Sequence, residues 1–248
     1  MRRLLAPAAA VVALAGCGGE DEPEALVVSA ASSLQTAFTV YGEQFGEVRY
    51  SFAGSDELAA QIRQGVTPDV FASANTSLPE ELSGEGLVGE PTVFAGNRLV
   101  LAVPAGAVTV STFGDVAQPG VKLAVGSASV PIGGYTRDVL AELPAGEGDE
   151  ILANVRSEEP DVKGIVGKLT QGAVDAGFVY ITDVTATKGA LEAIELPDSV
   201  DASAAYAVAV VEGAENPGAA QRFIDGLLDG EGQAHLEAAG FEPPPAPE

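Results

Sequence analysis

Tryptophan is absent from this chain, cysteine and histidine occur once each, and basic residues are scarce, with 12 Lys and Arg against 36 Asp and Glu. Each shortage excludes something. A single cysteine rules out an internal disulfide. A formal net charge of -24 repels nucleic acid and anionic lipid headgroups, so no nucleic-acid partner is expected. It also repels an anionic ligand at long range, so any bound anion must be held by local dipoles. Aromatic residues make up only 6% of the chain. Alanine, valine and leucine must then fill the interior, which suits layers of helix and sheet. The lone His235 lies on a late helical segment near the tail, and no Gly-x-Ser-x-Gly elbow precedes a helix, so a serine hydrolase is disfavoured. No Walker A sequence occurs. The glycine pattern Gly84-Glu85-Gly86-Leu87-Val88-Gly89 follows no strand and runs into Glu90-Pro91, so it reads as a loop rather than a dinucleotide fingerprint. Glu158 and Glu159 read as a solvated turn before Pro160 rather than as metal ligands, and no cofactor is expected.

What is present begins with an address. Met1-Arg2-Arg3, an apolar run to Ala15 and then Leu14-Ala15-Gly16-Cys17 make an export signal ending in a small-residue cleavage site. The run is too short to span a bilayer as a permanent helix. Cys directly after Leu-Ala-Gly resembles the bacterial lipobox, which implies a signal peptide over residues 1–16 and acylation of Cys17. Such a protein would be exported and held by lipid at the outer face of the cytoplasmic membrane. Residues 17–25 read as a polar tether and residues 242–248, mostly proline, as a disordered tail.

Between these ends, short apolar runs alternate with segments of helical period. Strands are expected at residues 26–31, 48–53, 70–74, 99–104, 123–127, 176–180 and 205–211. Helices are expected at residues 34–45, 57–64, 134–143, 164–171 and 217–228. The alternation predicts an α/β fold of mainly parallel sheets flanked by helices. Small and polar residues gather at strand-to-helix turns along the whole chain: Ala31-Ser32-Ser33-Leu34, Ala53-Gly54-Ser55-Asp56, Val130-Pro131-Ile132-Gly133 and Pro160-Asp161-Val162-Lys163, with Tyr180 ending a strand. Ligands of open α/β sheets sit at such strand ends, and two facing lobes would unite the turns in one cleft. A helix N-terminus offers free N–H groups and partial positive charge to an anion. For any one turn, simple helix capping by Ser or Asp explains the residues better; only the set points to a ligand.

From about Leu26 to Phe241 the chain resembles the periplasmic molybdate-binding proteins of molybdate ABC importers. The resemblance is carried by Ala30-Ala31-Ser32-Ser33-Leu34, Phe52-Ala53-Gly54-Ser55, Pro68-Asp69-Val70-Phe71-Ala72-Ser73-Ala74, Gly96-Asn97-Arg98-Leu99-Val100, Val130-Pro131-Ile132-Gly133-Gly134-Tyr135 and Gly177-Phe178-Val179-Tyr180-Ile181-Thr182-Asp183. It implies a two-lobed periplasmic-binding-protein fold of type II, with lobe 1 over residues 26–96 and 206–241 and lobe 2 over residues 97–205. It implies a tetrahedral oxyanion, molybdate or tungstate, held by the hydroxyls of Ser33 and Ser55 from one lobe. The backbone N–H groups of Ile132 and Val162 and the Tyr180 hydroxyl would serve from the other. Ser33 is preferred to Ser32 because it directly precedes Leu34 at the helix start. The resemblance further implies a monomer, not an enzyme, that delivers its ligand to an ABC permease and its ATPase. Residues 94–98 and 204–206 are the expected crossovers. Sulfate, phosphate or ferric iron on the same scaffold is the alternative, although Tyr41, Tyr50, Tyr135, Tyr180 and Tyr206 are scattered, with no adjacent pair of the kind that iron-binding relatives use.

Overall fold

The computed structural model describes residues 25–245; the export signal, Cys17 and all but the last residue of the tether lie outside them. The chain opens with β1 (Leu26–Ala31), a single 3-10 turn (Ser32–Leu34) and α1 (Gln35–Gly42). Then come β2 (Val48–Ala53), α2 (Ser55–Arg63), β3 (Val70–Ser73) and α3 (Ser77–Gly84). In β1 the apolar run is buried almost throughout, as befits an inner strand paired in parallel with β2 on one side and β3 on the other.

A long strand, β4 (Thr92–Pro104), leads into the second half of the molecule. There follow β5 (Leu123–Gly126), α4 (Pro131–Glu142), α5 (Glu147–Leu152), β6 (Val155–Glu159), α6 (Val162–Thr170), β7 (Ala176–Tyr180), α7 (Ile181–Ala186) and β8 (Leu191–Ile194). The chain returns through β9 (Ser203–Val210) to α8 (Pro217–Leu228) and α9 (Glu231–Ala238).

The strands run in the order β2-β1-β3-β9-β4-β7-β5-β6, with β8 paired to β4 off that path. β4 is the shared member. Its first half, Thr92 to Arg98, pairs with β9 in the first lobe. Its second half, from Leu99, pairs with β7 and β8 in the second. The result is the expected two-lobed α/β fold. Parallel pairing is confined to β1 with β2 and β3, and to β5 with β6 and β7; every pair involving β4 or β9 is antiparallel. That is a consequence of topology, because a chain that leaves a lobe on one strand must come back beside it in the opposite sense. First-lobe pairing extends to Arg98 and resumes at Ser203.

Two further expectations are corrected. Glu158 and Glu159 end strand β6 rather than forming a turn: Glu158 pairs with Arg137 at 3.0 Å, and Glu159 accepts from the Ser157 hydroxyl. The expected tail begins with an anchored residue. Glu242 exchanges two backbone hydrogen bonds with Gly96 at 2.8 and 2.9 Å, and Phe241 is buried edge-on against Tyr206. A Cβ on Gly96 would lie 2.9 Å from the Pro243 carbonyl, so glycine is what lets this segment close over β4. His235 packs beside the Tyr41 ring on α9 and takes no part in the cavity described next.

Candidate functional site

The strand ends of both lobes meet at one small cavity. Ser32, Ser33, Gly54, Ser55 and Ala74 line it from the first lobe, and Val130, Pro131, Ile132, Asp161, Val162 and Tyr180 from the second. All five residues expected at an anion site, Ser33, Ser55, Ile132, Val162 and Tyr180, are thus brought together, and Ser32 lines the same cavity. No Lys, Arg or His is among its lining residues.

Capping does not account for the two serines. Ser55 is the first residue of α2 and its side chain caps nothing; its Oγ instead accepts the Ala74 N–H at 3.1 Å. Ser33 lies inside the 3-10 turn, and its Oγ is 3.0 Å from the Tyr206 hydroxyl. Only Asp161 behaves as an ordinary N-cap, accepting the Gly164 N–H at 2.9 Å. That bond occupies its Oδ1 and leaves the Val162 N–H, at the first position of α6, without an intrahelical acceptor. At α4 the first residue is Pro131, which has no N–H to strand and holds φ ready for a helix. The Ile132 N–H that follows points out of the helix start.

Tyr180 is fully buried, and its hydroxyl has no hydrogen-bond partner among the described residues. Leaving such a donor unpaired costs about 1–3 kcal/mol, so it marks a place where something else binds. Burial is the main reason the Tyr180 phenol is pushed well above its ordinary range, with the Tyr206 and Tyr135 hydroxyls and the Asp183 carboxylate adding to the effect. The group therefore stays protonated and serves as a donor. Burial raises the other four tyrosines too, Tyr41 to about 12. A phenol raised in the fold contributes stability that is intact below the unfolded value near 10 and is lost as pH climbs through the folded value. In an alkaline titration, tyrosinate absorbance should therefore appear together with loss of the helical circular-dichroism signal. An early ionising phase near pH 10 in a still-folded protein would contradict this.

Behind the cavity lies a polar cluster that the sequence reading missed. The Asn97 amide donates to Thr182 Oγ1 at 2.9 Å and to the Tyr206 hydroxyl at 3.3 Å, and its Oδ1 accepts the Arg98 N–H at 2.9 Å. Asn97 and Tyr206 sit on β4 and β9, the two strands that pass between the lobes. Beside the cavity, Lys163 Nζ is 2.9 Å from Asp183 Oδ1, whose side chain is wholly buried. Burial raises the Asp183 pKa, Lys163 opposes that rise, and Asp161 adds to it.

A cavity at the strand ends of two lobes joined by crossing strands defines a two-lobed solute-binding protein. The sequence agrees. Residues 26–242 match the model of the bacterial extracellular solute-binding proteins, and the chain belongs to that family, whose members are exported. The molybdate-binding protein ModA of Mycobacterium tuberculosis is 35% identical over 235 residues, covering 92% of this chain and 88% of that one. The periplasmic molybdate-binding protein of Azotobacter vinelandii superposes with a TM-score of 0.78 at 21% identity, over 89% of this chain and all of that one. The sulfate-binding protein SubI of Mycobacterium tuberculosis superposes nearly as well, with a TM-score of 0.76 at 17% identity, over 88% of this chain and 86% of that one. At those identities the two superpositions speak for the fold alone.

Proposed function

We propose that this protein captures molybdate, and tungstate equally, and hands it to an ABC importer. One observation carries the reading: the cavity presents donors from both lobes and no cation. Ser55 Oγ accepts the Ala74 N–H and keeps its proton for the cavity, the buried Tyr180 hydroxyl has no partner among the described residues, and the N–H groups of Ile132 and Val162 stand at helix starts. Such a set matches a small dianion that needs only acceptor contacts. Hydrogen bonds to a charged acceptor contribute about 1.5–3 kcal/mol each, so five, together with the helix dipoles, supply the ~8 kcal/mol that corresponds to micromolar binding. The 35% identity to a protein named for molybdate favours that oxyanion over sulfate, which the fold alone does not separate. Ferric iron is disfavoured, since no group of three or more His, Cys, Asp or Glu side chains gathers among the described residues. The ligand is bound and released without turnover by a monomer anchored through acylated Cys17, so that the importer's permease and ATPase receive it at the membrane.

The test is a thermal-shift panel of molybdate, tungstate, sulfate, phosphate and ferric iron, followed by calorimetry on variants. Molybdate and tungstate should raise the midpoint by several degrees through mass action. Ser33→Ala, Ser55→Ala and Tyr180→Phe should each weaken molybdate binding about tenfold or more. Unchanged affinity in all three would remove the cavity from consideration.

A further inference from the structure

We propose that Asn97 and Tyr206 fix the direction of the Ser33 hydroxyl, and so make the cavity prefer fully deprotonated oxyanions to hydrogen-bearing ones. The inference rests on the cavity being an oxyanion site and adds two positioning residues outside its lining.

The Asn97 side chain could in principle be placed either way round, but its Oδ1 takes the Arg98 N–H. The NH2 end must then face Thr182 and Tyr206, as the distances of 2.9 and 3.3 Å require. The Tyr206 oxygen therefore receives a donor. Its own single proton needs an acceptor, because the side chain is fully buried and an unsatisfied hydroxyl there is costly. Ser33 Oγ, at 3.0 Å, is that acceptor. With its oxygen engaged, Ser33 keeps its proton for the cavity it lines. The opposite sense, Ser33 donating to Tyr206, would give the phenol oxygen two donors and leave the phenol proton with no hydrogen-bonded acceptor among the described residues. The chain is thus Asn97 N–H to Tyr206, Tyr206 O–H to Ser33, Ser33 O–H to the ligand, each bond polarising the next. Ser55 is held in the same sense by the Ala74 N–H. A ligand that carries a proton must find an acceptor, and each serine already has one lone pair taken from behind, which turns its proton toward the ligand.

The experiment is competition between molybdate and hydrogen phosphate in mildly alkaline buffer, where phosphate is chiefly the monohydrogen dianion. The two ligands then carry equal charge, so a new charge in the protein shifts both alike and cancels in their ratio. Asn97→Asp replaces the amide donor by an acceptor while retaining an oxygen for the Arg98 N–H. Tyr206 should then donate toward position 97, Ser33 should donate to Tyr206, and a Ser33 lone pair should face the ligand. The molybdate-to-phosphate affinity ratio should fall about tenfold or more. Tyr206→Phe only frees Ser33 to rotate, and the ratio should fall about threefold. Should Asn97→Asp not fold, as judged by circular dichroism, Tyr206→Phe decides alone. A ratio equal to the wild-type value in the folded variants overturns the proposal, including the case where phosphate displaces molybdate from none of them. Failure of the wild-type protein to bind molybdate at all is a different result and strikes the oxyanion reading itself.

Discussion

Gly54→Val should abolish tight molybdate binding, by about a hundredfold or more, while leaving the ligand-free protein folded. Gly54 has φ −61° and ψ 138°, ordinary extended backbone that any residue adopts, so its absent side chain is not a matter of conformation. The reason lies across the cleft. A Cβ at this position would stand 2.5 Å from the Pro160 carbonyl oxygen and 3.3 Å from Val130 Cγ1, both on the opposing lobe. The nearest atom of its own lobe is Asp56 Oδ1, at 2.8 Å, the end of a side chain that can turn away. A valine therefore acts as a wedge that keeps the lobes apart. Parting them by even an ångström withdraws the Ile132 and Val162 N–H groups and the Tyr180 hydroxyl from a ligand seated on Ser33 and Ser55. Three charge-assisted hydrogen bonds at about 1.5–3 kcal/mol each are then weakened together, which exceeds the ~2.8 kcal/mol of a hundredfold loss. Calorimetry with molybdate reads the affinity, and the ligand-free thermal midpoint checks the fold. Binding as tight as wild type in Gly54→Val would mean that the ligand does not require this closure.

The parts of this architecture that were legible beforehand are those set by local pattern. The apolar runs of β1, β2 and β7 gave their bounds directly, and Pro217 announced the start of α8. Strand β6, Val-Arg-Ser-Glu-Glu, was not legible, because it is a half-exposed edge strand whose Arg156 and Glu158 face solvent and whose place is set by pairing with β5. The short α7 and β8 were hidden for a related reason: each is too brief to show a period and is held by contact with β4. At the site, the five residues transferred by resemblance converge on one cavity, although the turns alone were equally well explained as caps. What distinguishes Ser33 from Ser32 is its bond to Tyr206, 173 positions away, and no local signal could carry that. Asn97 and Tyr206 likewise read as ordinary crossover residues until β4 and β9 are laid side by side.

Lys163→Met should cost about 3 kcal/mol of folding stability at neutral pH, and most of that loss should vanish when Asp183→Asn is added. The Asp183 side chain is wholly buried, and Lys163, itself about a third exposed at 31%, supplies its ion pair at 2.9 Å. Asp183 Oδ2 has no partner among the described residues, so the lysine is the chief compensation for the charge. Removing one member of a buried pair strands the other, at a cost of about 3–5 kcal/mol; the partial exposure of Lys163 points to the lower end. The pH dependence follows from the direction of the shift. Burial raises the folded pKa of Asp183 above its unfolded value of 3.8, and without Lys163 the rise is larger. A carboxyl raised in the fold binds its proton more readily there than in the unfolded chain. Stability from that group is therefore greatest below the unfolded value and declines as pH rises through the window between the two. The Lys163→Met deficit should accordingly be smallest in acid and grow toward neutrality, whereas Lys163→Met with Asp183→Asn should show no such slope. Denaturant unfolding of the wild type, both single variants and the double variant, at acidic and neutral pH, measures every term. A double variant as unstable as Lys163→Met alone would place the cost in lost packing of the lysine stem instead of a stranded carboxylate. The same charge bears on function, since uncompensated Asp183 would stand beside Tyr180 at the wall of a cavity built for an anion. Lys163→Met should therefore weaken molybdate as pH rises, in step with its loss of stability.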